Sequence, residues 1–280
     1  MLNFQPNIAE KLQIKGVDIY FEYFGKKDSP VLVLLNGVAM ETKSWYQFLP
    51  PLLEKVDVLL LDFRGQGQST SDDDTYLVED FADYVKAVID HLSLVPKNVN
   101  ICGISFGSAV VAEFLRKYPS SVNKAIVSGI ILSPERRYHY QAELGKNILQ
   151  RGLIDLWVDS LYTALFSENF LVTIESFIPK LKEALNERYK NRKISLIRLL
   201  DAEEIYVENI KNYYSDFKKI ETPILLIAGE HDIVTPIHVQ QKAMRLFPNI
   251  KYIEHPEVGH TVFMERPKEF FGQILDFISR

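Results

Sequence analysis

A serine between two glycines, in the stretch Gly103-Ile104-Ser105-Phe106-Gly107, follows an apolar run and precedes an apolar helical stretch. A serine hydroxyl is a weak nucleophile at neutral pH unless a histidine removes its proton, and a carboxylate makes that histidine more effective. The chain supplies Asp232 and then His260 after later apolar runs. These three residues predict attack on a carbonyl carbon and a covalent acyl intermediate.

The three side chains act together only if the fold brings them to one place. Ser105 and Asp232 come at or after short runs that are apolar at nearly every position, which is typical of strands covered on both faces of a parallel sheet. His260 follows IKYIEH, at residues 250–255, which also suits a strand. Ligand sites form at the carboxyl ends of such strands, so we expect Ser105, Asp232 and His260 to converge there. The runs span residues 31–37, 57–63, 99–105, 124–132, 223–229 and 250–255.

Helical patterns alternate with these runs in both the first and the last third of the chain. Residues 14–25 suit a pair of early strands around Gly16. The alternation predicts an α/β fold with a mostly parallel, doubly wound sheet. The predicted helices span residues 78–94, 107–118, 237–247 and 267–278.

The middle of the chain breaks the alternation, because residues 135–217 show helical periodicity only. An all-helical insertion between two strands of one sheet predicts a lid over the edge of that sheet. We therefore expect a core formed by residues 1–134 and 218–280, with residues 135–217 as a helical lid.

Four motifs resemble those of the α/β-hydrolase superfamily, in the same order. They are the Gly-x-Ser-x-Gly stretch, DFRGQGQS at residues 62–69, GEHDIVTP at 229–236 and VGHTVFMERP at 258–267. The resemblance implies that Ser105 is the nucleophile at a strand-to-helix turn, Asp232 the acid and His260 the base. It also implies that the backbone N–H groups of Val38 and Phe106 stabilise the oxyanion.

Two positions leave alternatives open. The family usually has His-Gly after its first long strand, whereas this chain has Asn36-Gly37, which is similar to the 3-hydroxyacyl transferases of rhamnolipid and polyhydroxyalkanoate synthesis. An acyltransferase is therefore an alternative to an esterase or thioesterase, and a non-catalytic ligand receptor on the same fold is another. Glu135, after the fourth apolar run, is an alternative to Asp232 as the acid.

The predicted chemistry needs a small-molecule acyl ester or thioester as substrate and neither a metal nor an organic cofactor. Most aromatic residues of the insertion are expected to pack the lid against the sheet, while a minority face Ser105. The predicted pocket residues are Asn36, Gly37, Tyr138, Trp157 and Val234.

Composition excludes several other classes of protein. The net charge of −5, without a dense cluster of Lys and Arg, argues against a nucleic-acid surface. Cys102 is the only cysteine, so an intramolecular disulfide is impossible. The charged N-terminal stretch does not resemble a signal peptide, and no apolar run approaches a membrane span. We expect a cytoplasmic monomer or homodimer.

Overall fold

A mostly parallel sheet of eight strands lies at the centre of this computed structural model, which describes residues 5–26 and 29–280. The order across the sheet is β1-β2-β4-β3-β5-β6-β7-β8. β2 pairs antiparallel with β1 and β4, and the other neighbours are parallel. The strands are β1 (Ile8–Ile14), β2 (Val17–Phe24), β3 (Val31–Leu35), β4 (Asp57–Leu61), β5 (Val99–Ile104), β6 (Lys124–Ser128), β7 (Ile224–Gly229) and β8 (Ile250–His255).

Helices connect most of the parallel strands, and six of them lie in the single crossover from β6 to β7. No helix of the described residues combines the length and the apolar character that crossing a membrane requires. The helices are α1 (Leu49–Leu53), α2 (Val78–His91), α3 (Phe106–Lys117), α4 (Arg136–Gln150), α5 (Ile154–Leu165), α6 (Glu168–Ile174), α7 (Ile178–Tyr189), α8 (Lys193–Asn209), α9 (Tyr214–Phe217), α10 (Ile237–Gln240), α11 (Val262–Glu265) and α12 (Pro267–Ser279).

Apolar side chains cover both faces of the sheet, as the continuous apolar runs predict. Every residue of the central strands β3 and β5 is buried. α2 and α3 pack on one face, whereas α1 and α12 pack on the other. Because β3, β5, β6, β7 and β8 are parallel, the segments that follow them begin at the same edge of the sheet. The predicted α/β fold with a helical insertion is confirmed.

Two predicted elements differ from the structure. The early strand pair begins at Ile8 instead of residue 14, because β1 is an edge strand whose largely exposed, polar residues give no apolar run. The predicted helix over residues 237–247 consists of the short α10 and a 3₁₀ turn, Gln241–Arg245. Residues 1–4, 27 and 28 of the predicted core lie outside the described residues.

Candidate active site

Ser105 occupies the single residue between β5 and α3, where its φ of 51° and ψ of −122° are strained for an L-amino acid. The flanking glycines allow the backbone to pass closely. A Cβ atom on Gly103 would lie 2.2 Å from the carbonyl oxygen of Gly107, and a Cβ on Gly107 would lie 2.6 Å from that of Leu35. The small residues of this stretch are therefore required by the crossing of the strand and the helix.

Phe106 begins α3, so its N–H group is among those that lack a partner within the helix. The partial positive charge of a helix N-terminus favours an anion at this position. The aromatic ring is fully buried and lies against Phe63 at a centroid distance of 5.7 Å. The N–H group of Phe106 can therefore bind an anion beside Ser105, whereas its ring packs in the hydrophobic core.

The segment after β3 lies beside Ser105, because a Cβ atom on Gly37 would be 3.6 Å from the Cβ of Ser105. The buried Gln66 amide donates hydrogen bonds to the carbonyl oxygens of Gly37 (2.9 Å) and Val38 (3.1 Å). In a trans peptide the carbonyl and the following N–H point in opposite directions. Gln66 therefore directs the N–H of Val38 away from itself.

Asn36 was expected to line a pocket, but its side chain is fully buried and its amide is used within the protein. Its oxygen accepts a hydrogen bond from Trp45 Nε1 (2.7 Å). Its nitrogen donates to the carbonyl oxygen of Leu61 and to Gln66 Oε1, both at 3.0 Å. Asn36 thus braces the end of β3 against the end of β4, and the adjacent Gly37 is the residue that approaches Ser105.

Asp232 is buried at the carboxyl end of β7 and accepts hydrogen bonds on both carboxylate oxygens. Oδ1 accepts from the backbone N–H groups of Val234 (2.9 Å) and Thr235 (2.8 Å). Oδ2 accepts from Thr235 Oγ1 (2.8 Å) and Gln240 Nε2 (3.0 Å), and it lies 2.8 Å from His260 Nδ1. This network holds one carboxylate oxygen against the imidazole.

His260 is buried against the backbone of Gly129, since a Cβ atom on Gly129 would lie 2.6 Å from its Cε1. Burial lowers the pKa of His260, but the charge and hydrogen bond of Asp232, together with the charge of Glu203, outweigh it and raise the pKa above its ordinary value. The Nε2 atom has no hydrogen-bond partner among the described residues. His260 therefore has one nitrogen held by a carboxylate and the other free.

Glu135 occupies a different environment from Asp232. Its carboxylate bonds the hydroxyl of Ser133 and the ammonium of Lys242. Burial raises the pKa of Glu135, but these two partners outweigh it and hold the pKa below its ordinary value. The carboxylate in contact with His260 is that of Asp232.

Glu265 joins the His260 loop to the helical insertion. Its Oε1 accepts hydrogen bonds from the N–H groups of Gly259 and Ser167, each at 3.1 Å. Its Oε2 accepts from the hydroxyl of Ser167, which also caps α6. One side chain thus links the residue before His260 to the residue before α6.

Two of the predicted pocket residues, Tyr138 and Val234, line the same cavity of about 110 Å³. Trp157 does not line this cavity. Its ring contacts Tyr189 at a centroid distance of 5.8 Å, within an apolar cluster of the insertion that also packs against Val38.

A cluster that could hold a metal ion lies elsewhere, between α4 and α8. Ligand atoms of His139, Glu204 and Glu208 lie within 4.8 Å of one another. Glu204 already pairs with His139 and Lys146. The cluster borders a surface cavity of about 360 Å³ that contains none of Ser105, Asp232 or His260.

Residues 30–267 match the family model of the alpha/beta hydrolase fold, which is well over half of the chain. The chain belongs to the alpha/beta hydrolase family.

Several relatives of this alpha/beta hydrolase are similar over nearly their whole length. Pyrrolizixenacetamide deacetylase of Xenorhabdus hominickii is 26% identical, over 95% of this chain and 97% of its own. The bifunctional esterase/perhydrolase of Acinetobacter calcoaceticus is also 26% identical, over 94% and 96%. An alpha/beta hydrolase enzyme from a Medee basin deep-sea metagenome library has a solved structure with a TM-score of 0.89 and 26% identity, covering 97% of this chain and 98% of that one.

Sequence reasoning missed four residues that position the site of this alpha/beta hydrolase. Gln66 lies within the DFRGQGQS motif, which was recognised without a separate role for Gln66. Thr235 and Gln240 lie near Asp232 and are common types that carry no signal alone. Gly129 follows β6 and has a φ of 70°. A glycine within an apolar run indicates a close approach to the backbone, so the sequence did contain a signal for this residue.

Proposed function

We propose that this alpha/beta hydrolase is a serine hydrolase that cleaves a carboxylic ester or thioester through an acyl-enzyme on Ser105. The observation that carries the proposal is the buried Asp232–His260 pair at 2.8 Å, whose free Nε2 lies at the sheet edge that bears Ser105. The similarity to a deacetylase and to an esterase/perhydrolase supports acyl chemistry.

In the proposed reaction, His260 Nε2 takes the hydroxyl proton as Ser105 Oγ attacks the substrate carbonyl carbon. Asp232 holds the imidazole by its Nδ1 and stabilises the imidazolium that forms. The tetrahedral intermediate collapses, the bond to the alcohol or thiol breaks, and His260 returns the proton to that leaving group. His260 then deprotonates water, which attacks the acyl-enzyme. The bond between the acyl carbon and Ser105 Oγ breaks, His260 returns the proton to Oγ, and the acid is released.

The proposed oxyanion hole consists of the N–H groups of Val38 and Phe106. The N–H of Phe106 belongs to a helix N-terminus that follows Ser105 directly. The Gln66 amide donates a hydrogen bond to the carbonyl oxygen of the Gly37–Val38 peptide. This bond fixes the direction of the Val38 N–H. Donors that are fixed before the reaction lower the energy of the developing negative charge without reorganising.

We also propose that residues 135–217 serve as a lid over this site, with residues 1–134 and 218–280 forming the core. The bonds from Glu265 to Ser167 support this role, because they attach the start of α6 to the His260 loop. The apolar cluster of the insertion also packs against Val38.

Hydrolysis of acyl p-nitrophenyl esters and acyl thioesters of increasing chain length tests the proposal. We expect Ser105→Ala to lower kcat by at least about 10³-fold and to abolish fluorophosphonate labelling. Ser120→Ala, at an exposed serine beyond the same helix, is the matched control and should be unaffected. Full activity of Ser105→Ala would refute the mechanism. Product analysis with added alcohols tells whether water or an alcohol takes the acyl group.

A further inference from the structure

One peptide group, that between Ser128 and Gly129, lies between the turn that carries Ser105 and the loop that carries the acid. Its carbonyl oxygen accepts a hydrogen bond from the backbone N–H of Ser105 at 2.8 Å, which extends the ladder between β5 and β6 beyond the end of β5. Its N–H donates to Gln240 Oε1 at 3.1 Å. Because the carbonyl and the N–H of a trans peptide point in opposite directions, this group is held from both sides.

Ser108, in the first turn of α3, holds the carbonyl side of this peptide. Its side chain is fully buried, and its hydroxyl shares one proton between the carbonyl oxygens of Gly103 (2.7 Å) and Ser128 (2.8 Å). The same Oγ accepts a hydrogen bond from the N–H of Ser128 at 3.1 Å. Ser108 therefore joins the helix that follows Ser105 to the end of β6.

Gln240, at the end of α10, holds the N–H side and is also fully buried. Its Nε2 donates one hydrogen to Asp232 Oδ2 (3.0 Å) and the other to the carbonyl oxygen of Thr235 (2.7 Å). Its Oε1 is left to accept from Gly129. The reversed amide would place an oxygen against the carboxylate, so only one orientation satisfies every partner. Gln240 thus connects the acid to the Ser128–Gly129 peptide.

The imidazole of His260 packs directly on the same peptide. A Cβ atom on Gly129 would lie 2.6 Å from Cε1 of His260 and 3.2 Å from Nε2. Ser105, Asp232 and His260 come from three segments of the chain, and each contacts this peptide directly or through one side chain. The position of the peptide therefore sets the position of Ser105 relative to His260.

We propose that Ser108 and Gln240 are positioning residues, which hold this peptide from opposite sides and thereby set the distance between Ser105 and His260. The proposal rests on the proposed ester hydrolysis at Ser105 and adds two residues that act on it through the backbone. A misplacement of about 1 Å in a reacting geometry lowers the rate by on the order of 10²-fold. Because both side chains hold one peptide, the loss of either should release it.

Two substitutions and their combination test the proposal on p-nitrophenyl butanoate. Ser108→Ala removes the hydroxyl, and Gln240→Met keeps the unbranched shape without the hydrogen bonds. We expect each to lower kcat by about 10- to 100-fold and to change KM by less than about threefold, because the reacting groups shift relative to each other. The rate of fluorophosphonate labelling of Ser105 should fall in parallel. The kcat of the double variant should stay within about threefold of the slower single variant, since the peptide is released only once.

Two control variants separate positioning from a general loss of stability. Gln241→Met makes the same chemical change at the exposed neighbour of Gln240. Ile19→Ala removes buried carbon atoms from β2, three strands away from β5, and lowers stability without contacting the site. Both should keep kcat within about twofold of the wild type at a temperature where every variant is folded. An equal loss of kcat in Ile19→Ala and Ser108→Ala would overturn the proposal.

Amide hydrogen exchange followed by NMR tests the link without using activity. Gln240→Met removes the acceptor of the Gly129 N–H, so this amide should exchange faster. The Ser105 N–H should also exchange faster, by at least about tenfold, although its acceptor is Ser128 and not Gln240. Ser108→Ala should have the corresponding effect on the Gly129 N–H.

The proposal fails if either substitution leaves kcat and the labelling rate within about twofold of the wild type. It also fails if the two losses multiply in the double variant, or if exchange at Ser105 is unchanged in Gln240→Met. If Ser108→Ala or Gln240→Met does not fold, the near-isosteric Ser108→Cys and Gln240→Glu decide by the same kinetic criteria. These failures leave ester hydrolysis intact, whereas activity in Ser105→Ala would overturn the hydrolase mechanism itself.

Discussion

Gln66 and Asn36 act on the proposed oxyanion hole through backbone groups. Gln66 donates to the carbonyls of Gly37 and Val38, and its own oxygen accepts from Asn36. Gln66, which is itself held by Asn36, contacts the carbonyl oxygen of the Gly37–Val38 peptide and thereby fixes the direction of the Val38 N–H. Because the role belongs to the backbone, the identity of Val38 itself is weakly constrained.

Gln66→Glu replaces the donor nitrogen by an oxygen that repels the two carbonyls. We expect kcat to fall by about 10²- to 10³-fold, as when one oxyanion donor is removed, with little change in KM. Steady-state kinetics on a short acyl p-nitrophenyl ester measures this, and the exposed Gln68→Glu in the same turn is the control. An unchanged kcat would show that Gln66 does not position the site.

The pKa of His260 predicts the pH dependence of activity. The proposed base acts only when neutral, and the pKa of His260 lies above its ordinary 6.5, so kcat/KM should fall as the pH decreases through a value above 6.5.

Glu203→Gln removes a negative charge that favours the imidazolium, so the pKa of His260 should decrease and activity should persist to lower pH. Rate profiles of the wild type, Glu203→Gln and the control Glu208→Gln, at an exposed position of the same helix, measure this. An upward shift in Glu203→Gln would contradict it.

The turn between β5 and α3 shows how an element places a side chain. The strand ends at Ile104 and the helix begins at Phe106, so one residue makes the whole connection. The flanking glycines were recognisable from the sequence because close approach of two backbones admits no Cβ. The contact of Gly107 with Leu35 joins residues far apart in the chain, so only the packed structure identifies the atom involved.

Gly107→Ala should destabilise the fold, because its Cβ would lie 2.6 Å from the carbonyl oxygen of Leu35. We expect a loss of about 2 kcal/mol or more in the free energy of unfolding, measured in urea. Gly272→Ala is the matched control, since this glycine lies in α12 and has no atom within 4 Å of the added Cβ. That change should stabilise by about 0.5–1 kcal/mol, and equal effects of the two substitutions would contradict the packing argument.

The helical insertion is hydrogen-bonded to the loop that carries His260. Glu265 accepts from Gly259 beside His260 and from Ser167 beside α6. Glu265 belongs to the VGHTVFMERP motif, but its partner Ser167 lies 98 residues away and has no motif of its own. A sequence pattern does not reveal such a partner.

Glu265→Ala leaves the N–H groups of Gly259 and Ser167 without their acceptor, at a cost of about 1–3 kcal/mol each. We expect lower stability in urea and a decrease of at least about tenfold in kcat, because the His260 loop shifts from Ser105. The exposed Glu269→Ala, four residues later, is the control. Wild-type stability and kcat in Glu265→Ala would show that this link is dispensable.

The amino-acid sequence was sufficient to predict the α/β fold, the helical insertion and the strand-end positions of Ser105, Asp232 and His260. These features depend on local periodicity and on short motifs, which any stretch of chain carries on its own. Only the packed structure shows that Asp232 rather than Glu135 contacts His260 and that the Asn36 amide forms its hydrogen bonds within the protein. These are contacts between distant residues, whose partners are chosen by packing and which local patterns do not encode.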